Sequence, residues 1–250
     1  MQCYLFGGAF DPPHRGHQAV LQKLLELADA RNIQHVRIMP AGISPFKEGH
    51  APANHRLAML EEMVGEALSA VNPKRPISVF IDTFELESEG RSYTCETVRH
   101  LRSLGMDPIL VIGADNLSGF HSWKDSQELM ARTPLLIFLR HGISLDRVSA
   151  DRKSLMDSAE ARSIEILDFL PPGCSSTELR AALGDQPATE QKEGPDPEES
   201  AKDQKDRDAS VARMGSDESD YSHLKDCLSS EILDYIRRHS LYGAGARKQT

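Results

Sequence analysis

Short apolar runs alternate with amphipathic helical patterns along most of the chain, and this alternation constrains the fold more than any other feature. Each run is bounded by polar or helix-breaking residues, as buried strands are. The runs that predict strands are Cys3–Phe6, Val36–Met39, Ile77–Ile81, Ile109–Ile112, Leu135–Leu139 and Ile164–Leu167. Strands that alternate with helices build βαβ units, so we predict an α/β fold with a doubly wound, mostly parallel sheet.

The segments between these runs carry apolar residues at helical spacing, which predicts one buried face on each helix. The predicted faces are Val20, Leu21, Leu24, Leu25 and Ala28 on the first helix, Leu57, Leu60, Met63, Val64 and Leu68 on the second, and Thr97, Val98 and Leu101 on the third.

The alternation stops near Gly184, so we predict an α/β domain over residues 1–184. Between Asp185 and Asp220 the chain has 12 acidic and 5 basic residues, which is −7 of its net charge of −9. Large apolar residues are almost absent there, so residues 185–222 are predicted to be a disordered acidic insert. Residues 223–243 then predict a C-terminal helix that packs on the core, and 244–250 a flexible tail.

A cluster of glycines and histidines, Gly7–His17, follows the first predicted strand and precedes the first predicted helix. Gly7 and Gly8 allow the backbone to approach a phosphate closely, because they have no Cβ. A helix that begins near Gly16 directs free N–H groups and a positive dipole end at an anion. His14 and His17 lie three residues apart and can share one side of that turn. Together these residues predict a phosphate-binding site.

Five segments resemble the bacterial nicotinate-nucleotide adenylyltransferases of the HxGH nucleotidylyltransferase superfamily. Gly7–His17 resembles the HxGH signature, and Ser92–Thr97 resembles the Ser-Tyr-Thr motif. Gly113–Lys124 resembles a GxDxxxxFxxWK motif, Ser175–Arg180 an SSTxxR motif, and Ser240–Tyr242 the end of the family's last helix. They occur in the family's order and are distributed over nearly the whole chain outside the acidic insert.

The resemblance implies a Rossmann-like nucleotidyltransferase that transfers AMP from ATP to nicotinate mononucleotide, with Mg²⁺ bound to the ATP. It implies His17 and His14 as catalytic residues. The implied ATP ligands are Gly7, Gly8, Phe10, His14, His17, Gly113, Asp115, Ser176, Thr177 and Arg180. The implied ligands of nicotinate mononucleotide are Lys47, Thr94, Trp123, Lys124 and Arg140.

Elementary chemistry offers a reason for several of these assignments. Ser175 and Glu178 form a capping box, which also collects N–H groups and Arg180 at one helix end, suited to phosphates. Trp123, the only tryptophan, offers a flat face to a positively charged pyridine ring. Lys124 beside it favours a carboxylate, and with Thr94 it favours nicotinate over nicotinamide.

Two alternatives stay open from the sequence. Nicotinamide mononucleotide or phosphopantetheine, or cytidylyl transfer, would use the same HxGH segment. A catalytically silent nucleotide-binding module is the second alternative. The sequence also departs from the family pattern at Ala9, where a hydroxyl residue is common, and at Phe46, where many members have histidine.

Charge and composition make several partners and compartments improbable. Outside the acidic insert the net charge is close to zero, so a nucleic-acid partner is not predicted. The sequence has no signal peptide pattern and no membrane-spanning apolar stretch, so a cytoplasmic protein without a membrane partner is predicted. Cys3, Cys95, Cys174 and Cys227 form no CxxC pair, so we predict free thiols and no protein-held metal.

Overall fold

A computed structural model describes residues 1–42, 51–88, 90–158, 162–184 and 224–244. Its strands are β1 (Gln2–Gly8), β2 (His35–Pro40), β3 (Ser78–Ile81), β4 (Asp107–Gly113), β5 (Leu135–Phe138) and β6 (Ile164–Leu167). Its helices are α1 (Arg15–Arg31), α2 (Ala53–Ala70), α3 (Phe84–Glu87), α4 (Thr94–Ser103), α5 (Ser126–Arg132), α6 (Leu145–Ser158), α7 (Ser176–Leu183) and α8 (Ser230–Arg238). All six predicted strands are present, and no strand end differs from its prediction by more than two residues.

The six strands form one sheet in the order β3-β2-β1-β4-β5-β6, and every neighbouring pair is parallel. Helix α1 packs against α2, and α4 packs against α5. The chain winds outward from the centre in two opposite directions, so right-handed crossovers place these helix pairs on opposite faces of the sheet. The prediction of a doubly wound parallel sheet is confirmed.

The centre of this sheet determines where a ligand can bind. Strands β1 and β4 are neighbours although they are far apart in sequence, and the strand order reverses between them. In such sheets a crevice opens beyond the carboxyl ends of the strands at this switch point. The Gly7–His17 cluster follows β1 and therefore lies at the crevice.

The buried faces of α1 and α4 agree with the predicted ones, but the face predicted for α2 is partly wrong. Leu68 is 38% exposed, whereas Arg56 is only 3% exposed. The buried residues of α2 are Arg56, Met59, Leu60, Met63, Val64 and Ala67. Arg56 therefore lies on the buried face of α2, where the spacing of apolar residues did not predict a charged side chain.

The chain divides into two compact units, Met1–Ser176 and Thr177–Thr250. In the second unit, Ser229 caps α8 by accepting the Ile232 N–H at 3.3 Å. Ile232, Leu233 and Ile236 of α8 are buried, as predicted. The predicted boundary after residue 184 and the docking of this helix stay predictions. The predicted disordered insert 185–222 lies outside the described residues, as does the tail beyond Ala244. Within the described parts of the chain, no helix is long and apolar enough to cross a membrane.

Candidate active site

The turn after β1 is held in place by the ring of Phe10. Phe10 is fully buried with a φ of 49°, and its ring lies edge-on to Phe6 at 5.4 Å and to His17 at 4.9 Å between centroids. A Cβ on Gly8 would lie only 3.1 Å from this ring, so the close approach favours glycine there. The Phe10 ring therefore packs against the turn that follows β1 and limits its movement.

His14 and His17 lie together at the start of α1. His14 is the N-cap residue, and its Nδ1 accepts the backbone N–H of His17 at 3.3 Å. The two imidazole rings stack with their centroids 3.7 Å apart. Burial, together with the positive charge of Arg140, lowers the pKa of His14 to about 3. His14 is therefore neutral, and since Nδ1 accepts, its proton is on Nε2 and can be donated to an anion.

The low pKa of His14 predicts a pH-dependent stability. Unfolded histidine titrates near pH 6.5, so acidification protonates the unfolded chain but not buried His14, and stability falls below that pH. From about pH 7.5 to about pH 5, this loss is on the order of 2 kcal/mol. His14→Asn keeps a good cap but removes the titrating group, so urea unfolding at both pH values should show a smaller loss than in the wild type. Equal losses in the two proteins would contradict the assignment.

Asp115 and Arg140 form an ion pair above the ends of β4 and β5. Arg140 Nε lies 3.3 Å from Asp115 Oδ1, and both side chains are partly exposed. A Cβ on Gly113 would lie 2.3 Å from that carboxylate oxygen and 2.8 Å from Arg140 Nε, so glycine makes room for the pair. The pair places an acceptor suited to ribose hydroxyls beside a donor suited to phosphate.

A cavity of about 330 Å³ opens in the first unit beside Gly7–His17, which we call the phosphate-binding turn after its predicted role. Gly7, Gly8 and Ala9 are among the residues that line it. Thr94, at the start of α4, and the pair Trp123 and Lys124 line it as well. The structure thus brings together segments that are far apart in sequence.

Trp123 is half-buried and has a rigid support. Its ring stacks on the fully buried Phe120, with 4.8 Å between centroids and 28° between planes. Its backbone N–H donates to the carbonyl of Phe120 at 3.0 Å. A planar aromatic ring held in this way provides a platform for a heterocycle.

The ammonium of Lys124 already has partners at the start of helix α4 and in the residue before it. Nζ donates to Glu96 Oε1 at 2.6 Å and lies 4.3 Å from the centre of the Tyr93 ring. A second ion pair joins Arg99 of the same helix to Asp125 at 2.7 Å. These pairs tie the segment that carries Trp123 to the helix that carries Thr94.

Glu85 is a cavity residue that the sequence analysis did not identify. Its Oε1 accepts the hydroxyl of Thr97 at 2.5 Å, and burial raises the pKa of its carboxyl group. The backbone carbonyl of Glu85 would lie 2.1 Å from a Cβ on Gly42, so these two segments are in close contact. No pattern around Glu85 in the sequence distinguishes it from a surface acid.

The remaining predicted site residues have different outcomes. Ser176 Oγ donates to the carbonyl of Pro12 at 3.0 Å, beside the phosphate-binding turn. Thr177 and Arg180 lie on α7 in the second unit. Lys47 and the divergent Phe46 lie outside the described residues.

Two of the four cysteines differ from the prediction of free thiols. Cys3 and Cys95 are free and buried. Cys174 and Cys227 are not free thiols, so for these two the prediction was wrong. The spacing of cysteines along the sequence could not reveal this, because it depends on tertiary proximity.

Comparison with known proteins agrees with this geometry. The family described as cytidylyltransferase-like matches residues 5–182. A probable nicotinate-nucleotide adenylyltransferase of Halalkalibacterium halodurans is 36% identical over 160 residues, covering 62% of this chain and 72% of the relative. A probable nicotinate-nucleotide adenylyltransferase of Prosthecochloris aestuarii is 35% identical over 188 residues, covering 73% of this chain and 86% of the relative.

The chain belongs to the nicotinate-nucleotide adenylyltransferase family. The fold agrees as well. Two structures of the nicotinic acid mononucleotide adenylyltransferase of Plasmodium falciparum, one complexed with APC and one with NaAD, superpose with TM-scores of 0.66 and 0.65. Each is 17% identical and covers 98% of this chain and 99% of the other, so the likeness is one of fold. Membership of the family makes a catalytically silent module the weaker alternative.

Proposed function

We propose that this protein transfers AMP from ATP to the 5′-phosphate of nicotinate mononucleotide, forming nicotinate adenine dinucleotide and pyrophosphate in NAD biosynthesis. One observation carries the proposal: a single cavity joins the Gly7–Ala9 loop to Trp123. The loop supplies close backbone approach for phosphates, and Trp123 supplies a flat face for a pyridinium ring. Neither feature alone selects a pyridine mononucleotide as the acceptor.

The chemistry is a direct in-line displacement. The acceptor phosphate attacks the α-phosphorus of ATP, the bond to the β-phosphate oxygen breaks, and pyrophosphate leaves with the electron pair. The attacking phosphate is already anionic, so neither a covalent nucleophile nor a strong general base is needed. Catalysis then consists of alignment and stabilisation of the charge that develops.

His17 and His14 have different roles in this proposal. His17 binds the α-phosphate as negative charge develops on it. His14 is neutral at physiological pH, because its pKa is lowered to about 3, and donates from Nε2 to a nearby phosphate oxygen. The stack between the two rings fixes their relative orientation.

We assign the remaining residues to the two substrates. Gly113, Asp115 and Ser176 bind ATP together with the phosphate-binding turn, and the roles of Thr177 and Arg180 stay predictions from the sequence. Thr94, Trp123 and Lys124 bind the pyridine end of the mononucleotide. Lys47 and Arg140 bind its phosphate.

Mg²⁺ enters this proposal as part of the substrate MgATP. In the described part of the chain, no three His, Cys, Asp or Glu residues are grouped so that they could hold a metal ion. A metal bound mainly through phosphate oxygens and water fits this donor set, since Mg²⁺ retains water readily. It supplies neutralisation of phosphate charge.

The choice between nicotinate and nicotinamide is the sharpest test of the function. We expect faster pyrophosphate release with ATP and nicotinate mononucleotide than with ATP and nicotinamide mononucleotide. Lys124→Met should lower the ratio of kcat/KM for nicotinate mononucleotide to kcat/KM for nicotinamide mononucleotide, because a cation beside the carboxylate is lost. Glu96→Gln retains Lys124 but removes its carboxylate partner, and this ratio should stay the same or rise.

Other results of these assays would reject parts of the proposed function. Equal or better turnover with phosphopantetheine, or with CTP in place of ATP, would reject the proposed substrates. A wild-type preference for nicotinamide would reject the role of Lys124. A cytoplasmic location and the absence of nucleic-acid and membrane partners stay predictions from the sequence.

A further inference from the structure

Arg56 is an arginine in the protein interior that the proposed chemistry does not use. It lies in the first turn of α2 and is only 3% exposed. Charged side chains are rarely buried to this extent unless they are hydrogen-bonded, because removing a charge from water is costly. The hydrogen-bond partners of the guanidinium therefore indicate the role of this buried charge.

Three backbone carbonyls from three segments converge on the Arg56 guanidinium. Nη1 donates to Ala9 O at 3.0 Å and to Ala41 O at 2.8 Å. Nε donates to Ala51 O at 3.1 Å. Ala9 belongs to the phosphate-binding turn and Ala41 follows β2, and both line the cavity.

Two further hydrogen bonds join the same three segments. The N–H of Ala41 donates to Gly8 O at 2.8 Å. The N–H of Ala51 donates to Asp11 Oδ1 at 3.1 Å, and Asp11 is fully buried. The turn, the end of β2 and the start of α2 thus form one hydrogen-bonded unit around Arg56.

We propose that Arg56 is the positioning residue of the phosphate-binding turn. By accepting hydrogen bonds from the guanidinium, the carbonyl oxygens of Ala9 and Ala41 direct their partial negative charge at Arg56 and not at the phosphates of the substrates. The turn that follows β1 is then held in one geometry for the anion. Arg56 acts through the backbone and does not touch the substrate.

The chemistry of the side chain explains why arginine is used. A guanidinium presents several N–H donors in a fixed plane, so it can reach carbonyls of separate segments at once. A lysine ammonium in the same place is a point donor on a flexible stem and cannot reproduce this geometry. The inference rests on the proposed function for its substrates, but the geometry of the turn is independent of the acceptor.

The experiment compares Arg56→Lys and Arg56→Ala with a control of equal burial. Met63→Ala removes a buried, uncharged side chain of the same helix. All three are assayed below their unfolding temperatures, with folded fractions measured by circular dichroism. Arg56→Lys should lower kcat/KM for ATP roughly tenfold per folded molecule, because small misplacements of aligned groups are costly. Met63→Ala should retain wild-type kcat and KM per folded molecule.

Two further readouts separate positioning from mere stabilisation. Millimolar guanidinium, but not ammonium, should restore part of the activity of Arg56→Ala. Calorimetric titration with a non-hydrolysable ATP analogue should show weaker binding to Arg56→Lys, whatever the acceptor is. A folded Arg56→Lys protein with wild-type kinetic constants and wild-type analogue affinity would overturn the inference. The two proposals can also fail separately. If Arg56→Lys binds the analogue weakly and the wild type is inactive with pyridine mononucleotides, the proposed function is rejected and the positioning role is supported.

Discussion

Replacing His17 by alanine is expected to lower kcat by about 100- to 1,000-fold, the range found when one donor to developing charge is removed. His17 stacks on His14 at 3.7 Å and lies edge-on to Phe10, so its ring is held before substrate binds. A donor that needs no reorganisation acts mainly in the transition state. The KM values for both substrates should therefore change much less than kcat. Pyrophosphate release under saturating substrate is the measurement.

His35→Ala is the matched control for this variant. His35 is a partly buried histidine at the start of β2, the opposite end of the sheet from the cavity. Its loss should leave kcat unchanged. Thermal unfolding of both variants establishes that they are folded. An unchanged kcat in folded His17→Ala would reject the assigned role.

Replacing Trp123 by alanine is expected to raise KM for nicotinate mononucleotide by about 10- to 100-fold. Stacking of a base on an aromatic side chain contributes about 1–3 kcal/mol, and each 1.4 kcal/mol is a factor of ten in affinity. KM for ATP should change little, because the proposal assigns Trp123 to the mononucleotide and not to ATP. Steady-state kinetics with each substrate varied in turn would measure both.

Trp123→Phe is the control that retains an aromatic platform on Phe120 and should lose far less affinity. The wild type offers an independent readout, since Trp123 is the only tryptophan of the chain. Nicotinate mononucleotide should change its fluorescence directly on binding, whereas ATP alone should not. A folded Trp123→Ala protein with an unchanged mononucleotide KM would remove Trp123 from the site.

Several features of the site could be predicted because they depend on contiguous residues. The turn from Gly7 to His17 unites a strand end, two glycines and a helix start within one short segment. Local physics is enough to recognise such a unit, because its parts are neighbours in sequence. The N-cap role of His14 and its neutral state were not predicted, since both depend on how deeply its ring is buried.

Arg56 and Glu85 show why other features were missed. The sequence around Arg56 reads as an ordinary amphipathic helix, and the apolar pattern placed Leu68 inside where the structure has it 38% exposed. A sign was present: Arg56 is in helical register with Leu60 and Met63, on the apolar face. The positioning role proposed for Arg56 depends on three carbonyl groups from other segments, and no local sequence pattern specifies those contacts.

By itself the sequence determined the alternation of strands and helices, the turn that links β1 to α1 and the apolar stripe of α8, because each depends on neighbours within a few residues. Only the tertiary structure decided that β1 lies beside β4, and hence that the Gly7–Ala9 loop and Trp123 share one cavity. Strand order depends on long-range packing, which hydrophobic periodicity does not specify. Burial follows from that packing, and burial in turn determines the pKa of His14 and the contacts of Arg56.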